Sequence, residues 1–154
     1  MAGDELSDLE QQAWSGFLLT HDRLWRVLAA GLAELGVSMA EYSVLSLLHE
    51  ASPDGMRMSD LAHRRLMTTG GFTRLADRLE NRGLIERRRS TTDGRAFQAT
   101  LTRTGRALTR RARRRHHHDL REHFFTHLDD HHLRSLTEIW ALLEPGTDPD
   151  IDHR

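Results

Sequence analysis

At 154 residues with no cysteine and no lysine, the chain suits a single domain and has no means of making disulfides, thiolate metal sites or thiol redox sensors. Its formal net charge of −1 conceals a strong split: residues 1–59 sum to −6, residues 60–115 to +11 and residues 116–154 to −6, counting arginines against acids. No apolar run approaches the length of a membrane span and the opening residues are acidic, so no membrane association and a cytoplasmic location are expected.

The first predicted helix runs from about Leu6 to Leu35, where Leu9, Trp14, Phe17, Leu18, His21, Leu24, Trp25, Leu28, Leu32 and Leu35 recur at helical spacing and Gly36 ends the pattern. Ser38 and Glu41 form a capping box that opens a short helix through about His49, with Tyr42, Leu45 and Leu48 inward. A loop at 51–55 leads to a short strand at Met56–Met58. Ser59 is then placed as the cap of a helix from Asp60 to about Leu66. After a turn, "MTTGG", the next helix spans about Gly70 to Asn81, buries Phe72, Leu75, Ala76 and Leu79, and stops at Gly83. "LIERRRS" and "AFQATL" pair as strands around a turn at Asp93-Gly94. Thr102 caps a long helix over about 103–127, and a last helix over about 130–143 carries Leu133, Leu136, Ile139, Trp140 and Leu143. Pro145 closes it, leaving 146–154 as a flexible tail.

Two short helices joined by a tight turn make a helix-turn-helix, and the basic hairpin that follows makes it winged. In that arrangement the second helix enters the major groove of duplex DNA and the hairpin tip reaches an adjacent minor groove. The sixteen arginines of residues 60–115 fall on this unit and the start of the helix after it, as expected of a nucleic-acid footprint. The fold class is therefore mainly α, about six helices with a small β-hairpin wing.

The stretch "FTRLADRLENRGLIERRRSTTDGRAFQATLTRTGRAL", Phe72 to Leu108, resembles the MarR family of bacterial transcription regulators. It carries a recognition helix, a leucine-x-x-x-glycine-leucine turn, a wing whose tip reads Asp93-Gly94-Arg95, and a closing Leu101-Thr102-Arg103-Thr104-Gly105. The resemblance implies one domain over 1–145, with a DNA-binding lobe at about 37–101 and dimerisation helices at about 6–35 and 103–144. It also implies a non-enzymatic homodimer on a pseudo-palindromic operator, commonly a repressor released by a small, often aromatic, ligand. No cofactor is expected.

On this placement Ser59 is a DNA-binding residue, Thr69, Gly70, Gly71, Thr73, Arg74 and Arg78 are the exposed DNA-binding first turns of the recognition helix, and Arg87, Arg89, Asp93 and Arg95 are the DNA-binding residues of the wing. The paired glycines allow close approach to DNA or simply lie in the turn. Asp77 is expected to orient an arginine rather than to touch DNA. The run Arg110–Arg115 spreads around a helix axis and is expected to pair with acids of the first helix.

Trp14, Phe17, His21, Trp25, Tyr42 and His116 are candidates to line a ligand pocket between the first, second and fifth helices, or else are plain core. His116, His117 and His118 are consecutive, so a helix directs them about 100° apart and they cannot share one metal ion. His123 and His127 stand one turn apart and could ligate together, which keeps open a metal-responsive regulator. Zinc sensing is known in the family that the sequence resembles, but no specific metal site is expected here. A helical module that binds protein instead of DNA is the other alternative. An enzyme is not expected, since the chain has no Gly-rich phosphate loop, nucleophile elbow or HExxH motif.

Overall fold

Ser7 and Ser38 open the first two helices with the same device. In each, the serine hydroxyl accepts the amide of the residue three positions on, and that residue, Glu10 or Glu41, returns its carboxylate to the serine amide. The computed structural model describes residues 5–51, 55–64, 69–89 and 97–143. Helix α1 (Asp8–Ala33) ends at Gly36, whose φ of 69° is the left-handed turn a glycine makes without strain. Helix α2 (Met39–Glu50) follows. Strand β1 (Met56–Arg57) runs straight into α3 (Met58–Arg64), so Ser59 lies inside the first turn of α3 rather than capping it. Its hydroxyl turns to Asp60 Oδ1 at 3.3 Å. The end of this helix expected at Leu66 lies outside the described residues.

Helix α4 (Thr69–Asn81) leads into strands β2 (Ile85–Arg89) and β3 (Phe97–Leu101). The wing is wider than a hairpin. β1 adds to the free side of β3, giving an antiparallel sheet in the order β1-β3-β2, with Met56 opposite Ala99 and Arg87 opposite the same residue from the other side. Leu45, Leu61, Leu75, Ala76, Leu79 and Ala99 are fully buried where α2, α3, α4 and the sheet meet. This core holds the lobe together, and it was set by the periodicity of α2 and α4.

Helix α5 (Arg103–His123) begins on Thr102, whose hydroxyl accepts the Gly105 amide at 2.9 Å. The expected helix to His127 is shorter than the sequence suggests. Phe124 leaves helical geometry (φ −135°, ψ −62°), a 3₁₀ turn occupies Phe125–His127, and the Thr126 hydroxyl donates to the Arg121 carbonyl that the ended helix leaves open. Helix α6 (Asp130–Leu143) follows. α5 packs along α1, most closely where buried Asp119, 3% exposed, lies against Gly31, and Arg115 bridges Asp119 at 2.9 Å and also pairs with Glu34. Among the described residues no helix is long and apolar enough to cross a membrane.

Glu41 gives the lobe an acid-sensitive tie. Burial pushes its carboxyl up, but the Ser38 amide and Arg82, which donates at 3.0 Å, outweigh burial and hold it below its ordinary value. A carboxylate lowered on folding contributes stability above its unfolded pKa and loses it as pH falls through the folded one. Below the unfolded value of about 4.3, wild type should therefore lose melting temperature faster than Glu41→Gln. Parallel curves would mean that Glu41 contributes nothing of this kind.

Candidate nucleic-acid interface

Helix α4 presents two faces. Phe72, Leu75, Ala76 and Leu79 are buried at helical spacing, which turns Gly70, Thr73, Arg74 and Arg78 outward, all of them exposed. Thr69 is the first residue of α4, and Ser59 is exposed on α3. Gly70 and Gly71 stand inside the helix rather than in the turn before it. A Cβ added at Gly70 would meet nothing within 4 Å. Gly70→Ala should therefore raise stability by up to about 1 kcal/mol, the helix penalty of glycine. If the glycine is kept for close approach to a partner, the same methyl should weaken operator binding. A stabilised variant with unchanged affinity would assign Gly70 to neither role.

The wing is braced on α4 through Arg87. Its guanidinium donates to Glu80 (Nε to Oε2, 2.8 Å) and pairs with Asp77 at 2.7 Å, and its amide donates to Glu80 Oε1 at 3.1 Å. The bond from Arg87 holds the Glu80 carboxyl below its ordinary value. Arg87, expected in the DNA-contacting wing, is 26% exposed and engaged by two carboxylates, so that it ties α4 to the wing. Asp77 takes the arginine-orienting place expected of it. Glu80 is the residue that sequence reasoning missed, although its position one turn after Asp77 on the same face carried the signal. Arg89 lies over the exposed Phe97 ring at 5.9 Å, and Arg88 is exposed beside Glu86. Asp93 and Arg95, the expected wing tip, lie outside the described residues.

The arginine run of α5 divides. Arg113 turns to α2, donating to Ser46 at 2.9 Å and Glu50 at 2.6 Å, and Arg115 turns to Glu34 and Asp119. Arg110, Arg111 and Arg114 are exposed. The six candidate pocket residues separate into two groups. Trp14, Phe17, His21 and Trp25 form a ladder along α1 with ring centroids 5.7 to 6.2 Å apart, and Trp140 of α6 meets Phe17 edge-on at 6.1 Å. Tyr42 and His116 stack at 4.7 Å where α2 meets α5. Spacing along α1 could not show this, because it orders residues along one helix only. His116 Nδ1 is buried without a hydrogen-bond partner, and burial, with the neighbouring charge of His117, holds the imidazole below its ordinary pKa. The break at Phe124 falls between His123 and His127, so the one-turn spacing that would pair them on a helix is absent. Among the described residues no group of three or more histidines and carboxylates is placed to hold a metal ion.

The MarR family model matches residues 35–96. The chain is 36% identical over 84 residues to the HTH-type transcriptional repressor Rv2887 of Mycobacterium tuberculosis, and the match covers 54% of this chain and 59% of that protein. The chain thus spans about three fifths of the length of the curated relatives it matches. Among solved structures it is similar to AbsC, a MarR family transcriptional regulator from Streptomyces coelicolor, with a TM-score of 0.84 and 32% identity over 93% of this chain and 95% of that one. It is also similar to Sco3205, a MarR family transcriptional regulator from the same organism solved in complex with DNA, with a TM-score of 0.84 and 28% identity over 94% and 97% of the two chains.

Proposed function

The chain belongs to the MarR family, and from that membership we propose that it is a homodimeric repressor that binds duplex DNA sequence-specifically and is released by a small ligand. The observation that carries the reading is the outward face of α4. Gly70, Thr73, Arg74 and Arg78 are exposed on a helix whose opposite face is locked in the core, with the wing fixed to it by Arg87. A helix so held can enter the major groove, where base edges are distinguishable. The named repressor among the relatives and the DNA-bound neighbour support the direction and the partner. For the ligand, the support is the Tyr42–His116 stack, where a buried partnerless Nδ1 offers one polar anchor in an aromatic setting.

The test is an electrophoretic or anisotropy titration against the DNA upstream of the protein's own gene and a scrambled duplex, with and without phenolic compounds. Preference for the upstream duplex, weakened by one of the compounds, supports the reading; equal affinity for both duplexes overturns sequence-specific binding.

Dimerisation rests on bare apolar surface. Trp14, Phe17, Trp25, Ile139 and Trp140 are 54%, 46%, 50%, 46% and 45% exposed in the single protomer, on α1 and α6. A face of that kind implies a partner of obligate type, with an interface above roughly 2,000 Å². Trp140→Glu should shift sedimentation from dimer to monomer or aggregate, and a wild-type protein that sediments as a monomer at micromolar concentration would end the dimer reading.

A further inference from the structure

A second basic site lies on the lobe, between strand β1, helix α3 and strand β3. Gly55, Met56 and Arg57 at the outer strand, Asp60, His63 and Arg64 on α3, and Gln98 on β3 enclose a cleft of about 480 Å³. Its floor is rigid for a local reason. Gly55 has φ 87°, and a Cβ there would stand 2.2 Å from the Ala99 carbonyl oxygen, so only glycine lets the chain lie this close on β3. Its wall is anchored by Leu61, fully buried one turn from Arg64. Among the described residues, two guanidiniums and an imidazole line this cleft against a single carboxylate. Arg57, His63 and Arg64 have no ion-pair partner among the described residues, although Asp60 lines the same space.

Solvated arginines usually spread apart. Here they stand on two anchored elements, with Gln98 directly across the strand pair from Arg57. We propose that this cleft is an oxyanion clamp that takes a phosphoryl group, with Arg57 and Arg64 as the paired donors and Gln98 as the neutral one. The planar fork of arginine donates two parallel bonds to such a group. The source that the placement favours is the phosphodiester backbone of the duplex, since the first helix of a helix-turn-helix crosses that backbone while the second reads bases. In this form the inference rests on the DNA-binding reading above. A small free oxyanion shares the same chemistry, and the experiment separates the two.

The variant Arg57→Ala/Arg64→Ala removes two exposed side chains and should melt near wild type. Anisotropy titrations of both proteins are run on operator and scrambled duplexes over a salt series, and melting curves are recorded with inorganic phosphate and no DNA. Backbone clamping predicts that the variant weakens both duplexes in parallel, because phosphates carry no sequence. It also predicts that the slope of log affinity on log salt falls by about 0.9 per subunit, for the one phosphate that the two arginines hold. An unchanged slope together with phosphate stabilisation of wild type, lost in the variant, keeps the clamp and assigns it to a free oxyanion. Unchanged slope and no phosphate stabilisation overturn it. Should wild type bind no duplex at all, the DNA reading falls, and the phosphate melts still decide the cleft.

Discussion

Gly105→Ala should cost about 3 kcal/mol or more, as overpacking against an immobile neighbour does. A Cβ built at Gly105 stands 1.9 Å from the Leu84 carbonyl oxygen and 2.8 Å from its carbonyl carbon. Those are backbone atoms, which no side-chain rotation can move. The same carbonyl accepts the Thr102 amide at 3.1 Å, and the Thr102 hydroxyl donates to Gly83 O at 2.6 Å while capping α5. The added methyl therefore forces α5 off the turn at Gly83 and breaks its cap. In a chain of this size the melting temperature should fall by about 10 °C, at roughly 3 °C per kcal/mol. A melt within about 2 °C of wild type, less than one kcal/mol on that scale, would show that the helix start shifts freely and that the contact is not rigid.

Arg74→Ala is expected to have the largest effect on binding. Arg74 is exposed on the first turns of α4, opposite buried Phe72, Leu75 and Ala76, and is the first arginine of the outward face. A bidentate base contact is worth about 1–3 kcal/mol of discrimination, so an operator read by two subunits should lose on the order of 2–6 kcal/mol. The loss should fall on the cognate duplex and spare the scrambled one, with the melting temperature unchanged. Arg95→Ala provides the contrast. We propose that Arg95 reaches the minor groove, where an arginine reads width and charge; both duplexes should then weaken together and the salt slope should flatten by about one per subunit. If Arg74→Ala instead weakens both duplexes equally, Arg74 is a phosphate contact and the base reader lies elsewhere on α4.

The lobe was legible because its signals are local. Ser38 with Glu41, the spacing of Phe72, Leu75 and Leu79, and the Leu101-Thr102-x-x-Gly105 closure each report on a turn or a helix face within a few residues. Ser7 with Glu10 is a signal of the same kind, and it starts α1 at Asp8 rather than at Leu6. The end of α5 was not legible. No glycine or proline stands at Phe124, and the break is made by its backbone and by Thr126 reaching back to Arg121. The wing arginines were legible as basic and strand-borne, but not as free or engaged. Alternation puts Arg87 and Arg89 on one face, yet only the packing of β2 on α4 gives Arg87 two carboxylates and leaves Arg89 over Phe97. The pocket candidates divided for a similar reason: helical spacing orders residues along one element and says nothing of where a second element stops.

The close approach of α1 and α5 also bears on how the chain is made. Glu34 and Arg115 are 81 residues apart in sequence, and the buried residues of α1, Leu28, Gly31 and Leu32, lie at its far end beside that contact. At ribosomal rates of about 5–20 residues per second, roughly 4–16 seconds separate the synthesis of α1 from that of its seat. In that interval α2, α3, α4 and the sheet all leave the ribosome and can close their own core. Helix α1 is thus made well before the helix that completes its seat, and in that interval Trp14, Phe17 and Trp25 are within reach of any chaperone at the exit tunnel.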